Sequence, residues 1–438
     1  MNFKERNIQI SMVIITLVMT ILRFLLNEKG RVNPDSIRYM RFAHVLPEMD
    51  NTITPLGYPL SIKFFTLFGT DEFWASKIVG IVSFLFIIFF AWKKKFYFRE
   101  TVVLCSLFSF VSIFSFTMSE ALILPFVYLF FYCAHQIING KISGGKAVFY
   151  LSVSLIALYN IRYSSLFFVG GTGLFGLIYW RRNYAKTFTV SAFIGLVFMI
   201  AYKFLFIDYF NSNYINEALE IGLNPTSKLI PEFFQGLSTS FNPFIHIADP
   251  GGGKINFAIY GVGAVSILLM LYLFFTKRLS ETDKFLFLIG VCGIVCSYFI
   301  QYFYWITPLD YRLLAPFSFP VWLVYLKKLF ETFKVKTYAL GFLSLLSGVF
   351  FTWLSKGDYL ENRREITRFL KAEKLQNAKL LYYVKDIEDL DEGQIGELIS
   401  TVNSDLDFTL KASDTIKNTT LTQHKVLEKI KLRKNKFQ

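Results

Sequence analysis

Cysteine is scarce: the 438 residues hold four, Cys105, Cys133, Cys292 and Cys296, all inside apolar stretches. That excludes a disulfide framework. Cys292 and Cys296, four apart, share a helix face, but no histidine or carboxylate lies near them in sequence to complete a metal site. They read as small buried hydrophobes. Charge is equally thin at 18% of residues, against about 25% in soluble domains. There is no internal repeat, and the one biased segment is the basic end Lys429–Lys436. Gly251-Gly252-Gly253-Lys254 lacks the spacing, the Ser/Thr and the preceding strand of a phosphate loop. No small-residue cleavage site follows the first apolar stretch, which is expected to stay as a membrane anchor.

What is abundant is apolar surface: 54% hydrophobic residues, including 51 phenylalanines. Long apolar runs mark an integral membrane protein. About eleven spans can be drawn, at roughly 8–26, 73–92, 101–117, 119–138, 147–160, 164–180, 187–207, 256–275, 285–303, 311–326 and 337–354. The net charge of +14 comes mostly from lysines and arginines in short loops, so it speaks for orientation and lipid headgroups rather than nucleic acid. With the N-terminus in the cytoplasm, every short cytoplasmic loop is basic: Lys93–Arg99, Lys141 and Lys146, Arg181–Lys186, Lys277–Lys284, and Lys327–Lys336. The C-terminus then lies outside.

The expected organisation is a transmembrane domain over 1–354 and a small soluble extracytoplasmic domain over 355–438. A first outer loop, 27–72, carries two helical segments lying along the membrane. A long outer loop, 208–255, is rich in Asn, Pro and Gly, and suits a lid or acceptor-binding segment. In the tail, Lys379–Val384 and Phe408–Ala412 read as strands, Glu388–Val402 as a helix, and Thr422–Leu432 as a closing helix.

Several polar residues then stand out on the outer side. Asp35, in Asn33-Pro34-Asp35-Ser36, is an acid at the membrane edge on a loop stiffened by Pro55-Leu56-Gly57-Tyr58-Pro59. It suits a general base; the bland alternative is a helix N-cap. Glu120 interrupts an apolar run and must reach water or a partner, or else cap the fourth span. Arg162 and Arg312 are on the wrong side for the positive-inside bias and suit a clamp for phosphate oxygens. The alternative is internal pairing, Glu120 with Arg162 and Asp310 with Arg312. Lys63 can snorkel to headgroups, Arg23 is expected to snorkel outward, and His246 reads as a solvated loop side chain.

With Asp35, Tyr58-Pro59, Ser119-Glu120, Arg162-Tyr163 and Asp310-Tyr311-Arg312 on one side, residues 8–354 resemble a GT-C membrane glycosyltransferase. The nearest type is glycosyltransferase family 39, of protein O-mannosyltransferases and the bacterial enzymes that transfer aminoarabinose to lipid A. The resemblance implies an all-α polytopic GT-C fold and a sugar taken from a polyprenyl-phosphate carrier. It makes Asp35 the catalytic acid of the first loop and Glu120 a second catalytic acid. Tyr39, Tyr58, Lys63, Arg162, Tyr163, Asp310 and Arg312 become contacts to the carrier phosphate or sugar. The acidic pair common in the mannosyltransferases is here Asp35-Ser36, which weakens a metal-bridged mechanism, although some relatives use divalent cations. The implied reaction is direct, inverting transfer to an acceptor hydroxyl on a glycan, lipid or protein. A bacterial inner membrane fits the basic, phenylalanine-rich composition without a eukaryotic targeting signal. The competing readings are an O-antigen-type polymerase or ligase, disfavoured because the loop 208–255 has only Lys228 and Lys254 as basic residues, and a lipid-linked sugar transporter, disfavoured because no two similar halves are visible.

Overall fold

The computed structural model describes residues 3–211, 223–246, 253–304, 308–375, 378–385, 390–416, 420–421 and 430. The chain is an all-α polytopic membrane protein carrying a small α/β appendage. Its helices are α1 (Phe3–Leu26), α2 (Pro34–Val45), α3 (Gly57–Thr66), α4 (Glu72–Lys94), α5 (Phe98–Ser106), α6 (Phe108–Ser115), α7 (Ser119–Ile138), α8 (Gly144–Ile161), α9 (Leu166–Ile178) and α10 (Ala185–Tyr202). There follow α11 (Thr226–Ser240), α12 (Lys254–Thr276), α13 (Glu281–Phe303), α14 (Ala315–Phe333), α15 (Tyr338–Leu354), α16 (Tyr359–Ala372) and α17 (Leu390–Ser400).

Each expected span coincides with one of these helices, or, for 101–117, with the α5–α6 pair. By length and apolarity alone, eight helices among the described residues suffice to cross a membrane, counting Ala315–Leu354 as one. The α5–α6 pair makes nine if it is taken as a single span. It bends by 75°, which the sequence did not announce. Leu107 adopts an extended conformation at the break, and the freed Phe108 N–H donates to Ser344 Oγ of α15 at 2.8 Å. Ser344 Oγ in turn donates to the Pro243 carbonyl. In hydrocarbon a broken helix needs such partners, because no water is there to supply them. Nearly all of the pair is buried, so this bent pair is enclosed by the bundle. At Gly80, α4 comes so close that an added Cβ would strike the Phe114 carbonyl of α6. Small residues at crossings of this kind let backbones approach where van der Waals packing, not water exclusion, holds helices together.

The basic loops gather at one end of the bundle. There Lys327 Nζ contacts Asp283 at 2.7 Å, Arg182 pairs with Glu281 at 2.8 Å, and Lys328 donates to the Arg278 carbonyl at 2.9 Å. The loop between α1 and α4 lies at the opposite end, with the starts of α7 and α14. The expected structureless stretch 208–255 is corrected in part: Thr226–Ser240 is a 15-residue helix despite Pro231 in its interior.

The appendage is a three-stranded parallel sheet, with β1 (Leu380–Tyr383) between β2 (Leu406–Thr409) and β3 (Thr420–Leu421). The closing helix expected at Thr422–Leu432 lies almost wholly outside the described residues. The appendage does not stand alone. Its core of Tyr359, Ile366, Leu380, Ile399 and Leu406 is continuous with Val32 and Met40 of the first loop and Phe73 of α4. Arg363 Nη2 donates to Asp71 at 2.6 Å and to the Thr401 carbonyl at 2.7 Å. Arg41 of α2 bridges Asp407 of β2 and Asp50. Gly30 (φ +57°) faces the Tyr359 ring with no room for a Cβ. The appendage therefore braces α2, the helix that carries Asp35.

Candidate functional site

α2 begins with a reciprocal cap: Ser36 N–H donates to Asn33 Oδ1 at 2.9 Å and the Asn33 N–H to Ser36 Oγ at 3.1 Å. Asn33 thus does the capping, and Asp35 is left free of that duty. Its carboxylate is 48% exposed and, among the described residues, meets only Arg38, one turn on, at 3.7 Å. One turn later on the same helix Tyr39 faces inward, donating from Oη to Ser119 Oγ at 3.1 Å. The buried Tyr58 ring meets it edge-on at 5.0 Å. Gly57 lets α3 approach the Asn160 carbonyl at the end of α8, where a Cβ would lie 2.8 Å from that oxygen.

Glu120, in the first turn of α7, is the centre of the cluster and is 1% exposed. Arg162 Nη1 lies 2.7 Å from its Oε1, and Arg312 Nε 3.7 Å from the same oxygen. Arg162 projects from the bend between α8 and α9 and is steadied by Ser164, whose Oγ accepts from Nε at 2.9 Å. Arg312 follows Asp310, whose Oδ1 accepts from the Arg312 and Leu313 backbone N–H groups at 3.0 and 2.9 Å.

Both internal pairings weighed from sequence are present, Glu120 with Arg162 and Asp310 with Arg312, the latter at 4.0 Å. Glu120 is the carboxylate that both arginines enclose. Burial pushes the Asp310 carboxyl above its ordinary value, and the Arg312 charge and two backbone N–H groups only partly oppose this. Two guanidinium groups converge on Glu120, with Asp310 as a second, less buried counter-charge to Arg312. For Arg312, burial opposes the charged form, but Glu120, Asp310, Tyr311 and Asp35 outweigh it and raise the pKa. Tyr39 is pushed up to about 12, first by burial and then by the Glu120 charge. Asp35 also acts electrostatically on Tyr39 and Arg312, which places it in the same neighbourhood.

The structure thus brings Asp35, Tyr39, Tyr58, Glu120, Arg162, Asp310 and Arg312 together. Tyr163 stands beside them, donating to the Thr52 carbonyl of the first loop at 2.9 Å. Lys63 does not join; its Nζ donates to the His44 carbonyl at 3.1 Å on an exposed face. Two sequence readings are corrected. Arg23 does not snorkel outward: it is fully buried, its Nη1 held by Ser355 Oγ and the Phe351 carbonyl. His246 is not solvated but buried between the Phe108 and Tyr311 rings. Arg31 was missed altogether. It lies over Phe116 at 4.4 Å, with Arg312 over the same ring at 5.7 Å. The signal for it was available, as a basic residue on the side the loop-charge bias disfavours.

No three His, Cys, Asp or Glu side chains come together to hold a metal among the described residues. The one fully buried carboxylate of the site is taken up by arginines. The residues here do not fit a bridging cation.

No family model matches the chain, and no curated protein does. Among solved structures, the chain is similar to the Archaeoglobus fulgidus oligosaccharyltransferase in complex with Zn and sulfate, with TM-score 0.46 and 12% identity over 90% of this chain and 62% of that one. It is similar to oligosaccharyltransferase AglB from the same organism, in complex with an inhibitory peptide and a dolichol-phosphate, with TM-score 0.47 and 11% identity over 92% and 64%. It is also similar to ArnT from Cupriavidus metallidurans in the apo state, with TM-score 0.41 and 12% identity over 91% and 86%. The chain spans about three fifths of the length of the archaeal enzymes. At these identities the likeness is one of chain path, and the chemistry must be argued from the residues.

Proposed function

We propose that the protein transfers a sugar from a polyprenyl-phosphate carrier to an acceptor hydroxyl, at the end of the bundle that carries Asp35. The observation that carries this reading is an exposed carboxylate, Asp35, in the neighbourhood of two arginines that converge on the buried Glu120. The acceptor oxygen attacks the anomeric carbon as Asp35 takes its proton. The bond from that carbon to the phosphate oxygen breaks, and the phosphate leaves with the electron pair. Arg162 and Arg312 stabilise the departing negative charge. A single displacement of this kind inverts the sugar carbon.

Glu120, enclosed by guanidinium groups, is a poor base in this arrangement and serves to position the arginines. Tyr39 and Tyr58 pack edge-on beside Glu120, and Tyr163 ties the Arg162 bend to the first loop. Asp310 orients Arg312 through its backbone. The distribution of basic loops supports a cytoplasmic N-terminus, with this end facing outward in a bacterial inner membrane.

The test is sugar release from radiolabelled polyprenyl-phosphate sugars by the purified protein. Asp35→Asn is expected to lower turnover by about a hundred- to ten-thousandfold. Because the side chain is half exposed, folding and carrier binding are expected to persist. Full turnover in the variant would end the assignment.

A further inference from the structure

Beside the Glu120 cluster lies a second set of buried cationic groups with unmet hydrogen-bonding capacity. Arg31 Nη2 donates to the Ser112 carbonyl at 3.4 Å and to Tyr311 Oη at 3.3 Å, but its buried Nε has no partner. Arg23 keeps Nε and Nη2 without partners, under the Phe108 ring at 5.1 Å. His246 packs 4.7 Å from that ring and 3.9 Å from the Tyr311 ring, with both ring nitrogens unpartnered. Lys77 adds a buried ammonium held by the Arg31 and Ser115 carbonyls at 3.0 and 3.1 Å.

The charged side chains acting on this set are cations: Arg31 on Arg23, Lys77 and His246, Arg23 on His246, and Arg363 on Lys77. No carboxylate is among the groups acting on Arg23, Lys77 or His246. Burial, then the Arg23 and Arg31 charges, hold the His246 imidazole well below its usual value, so the ring is neutral and has one N–H to give. Guanidinium charges left buried without a counter-charge are strongly unfavourable. An anion would remove that cost.

We propose that Arg23, Arg31 and His246 form a buried site for a phosphate-class anion, next to the Glu120 cluster and separate from it. A tetrahedral phosphate carries enough acceptor oxygens to take the free Arg23 and Arg31 N–H groups and the imidazole N–H together. Its source is either the headgroup of a lipid phosphate or free phosphate. The inference does not rest on sugar transfer, because binding alone is read.

The experiment is thermal melting of the full-length protein in detergent, titrated with a polyprenyl phosphate, with inorganic phosphate, and with chloride at matched ionic strength. A saturable rise with phosphate and not with chloride is expected. A response to the lipid alone assigns a lipid headgroup, and a response to both probes assigns phosphate itself. Arg23→Gln, Arg31→Gln and His246→Asn should each weaken the phosphate midpoint, the arginine variants by about ten- to a hundredfold. Without phosphate, Arg23→Gln should melt at or above the wild-type temperature, since it removes an uncompensated charge. Equal rises with chloride, or an unchanged midpoint in all three variants, would overturn the proposal. So would phosphate-independent melting in which both arginine variants fall well below wild type, because the counter-charge would then belong to the chain.

Discussion

The Glu120–Arg162 contact offers the sharpest test of how the site is built. At 2.7 Å and an effective dielectric of about 20, the pair is worth about 6 kcal/mol in Coulomb terms, and Arg312 at 3.7 Å about 4 kcal/mol more. Desolvation consumes much of this, since Glu120 is 1% exposed and Arg162 16%. What survives appears when one partner is removed. Arg162→Gln leaves a buried carboxylate with only the longer contact, and Glu120→Gln leaves two guanidinium groups facing each other. Each is expected to destabilise the protein by about 3–5 kcal/mol. In the double variant neither charge is stranded by the other's loss, so a coupling of about 1–3 kcal/mol should appear. The assay is a double-mutant cycle on the full-length protein in detergent, by reversible denaturant titration followed through tryptophan fluorescence. The coupling should persist in high salt, which screens exposed pairs such as Asp35–Arg38 and spares buried ones. Additivity of the two single variants, or a coupling that vanishes with salt, would refute the arrangement.

Arg363→Gln removes donations to Asp71 and the Thr401 carbonyl that join the appendage to the membrane domain. About 1.5–3 kcal/mol of docking should go with them, because such bonds involve a charged donor. Limited proteolysis should then cut the appendage faster at unchanged helical content. His44 of α2 pairs with Glu72 at 2.8 Å, and that hydrogen bond raises its pKa against the opposing effect of burial. Its contribution is full below the unfolded value of about 6.5 and fades as pH rises through the higher folded value. Protection of the first loop from proteolysis should weaken over that interval in the wild type, and the dependence should be absent in His44→Gln. Gly80→Ala places a methyl against the Phe114 carbonyl and should lower the melting temperature markedly, whereas Gly145→Ala, in open space at the start of α8, should not.

The spans were legible because apolar length alone announces a membrane helix, and the site was legible in part because charge in an apolar run has no ordinary reason to be there. Glu120 was found on that ground, and Arg162 and Arg312 because they lie on the side that the positive-inside bias disfavours. What escaped depends on contacts between distant parts of the chain. Ser106-Leu107-Phe108-Ser109 contains neither glycine nor proline, so nothing local marks the break between α5 and α6. It is Ser344, 236 residues on, that accepts the freed N–H and makes the break affordable. α11 was hidden by Pro231 and by the Asn, Pro and Gly around it, cues that read as loop when taken singly. Arg23 shows the limit most clearly. From sequence, an arginine three residues from the end of a span belongs at the headgroups. In the fold, α15 runs beside α1 and offers Ser355 and the Phe351 carbonyl just where the guanidinium lies. The side chain turns inward and is buried with unmet donors. Local sequence gives a charge its depth in the membrane, and packing decides whether it faces lipid, water or a ligand. The distinction matters here because the inward-facing arginines give this end of the bundle its surplus of positive charge.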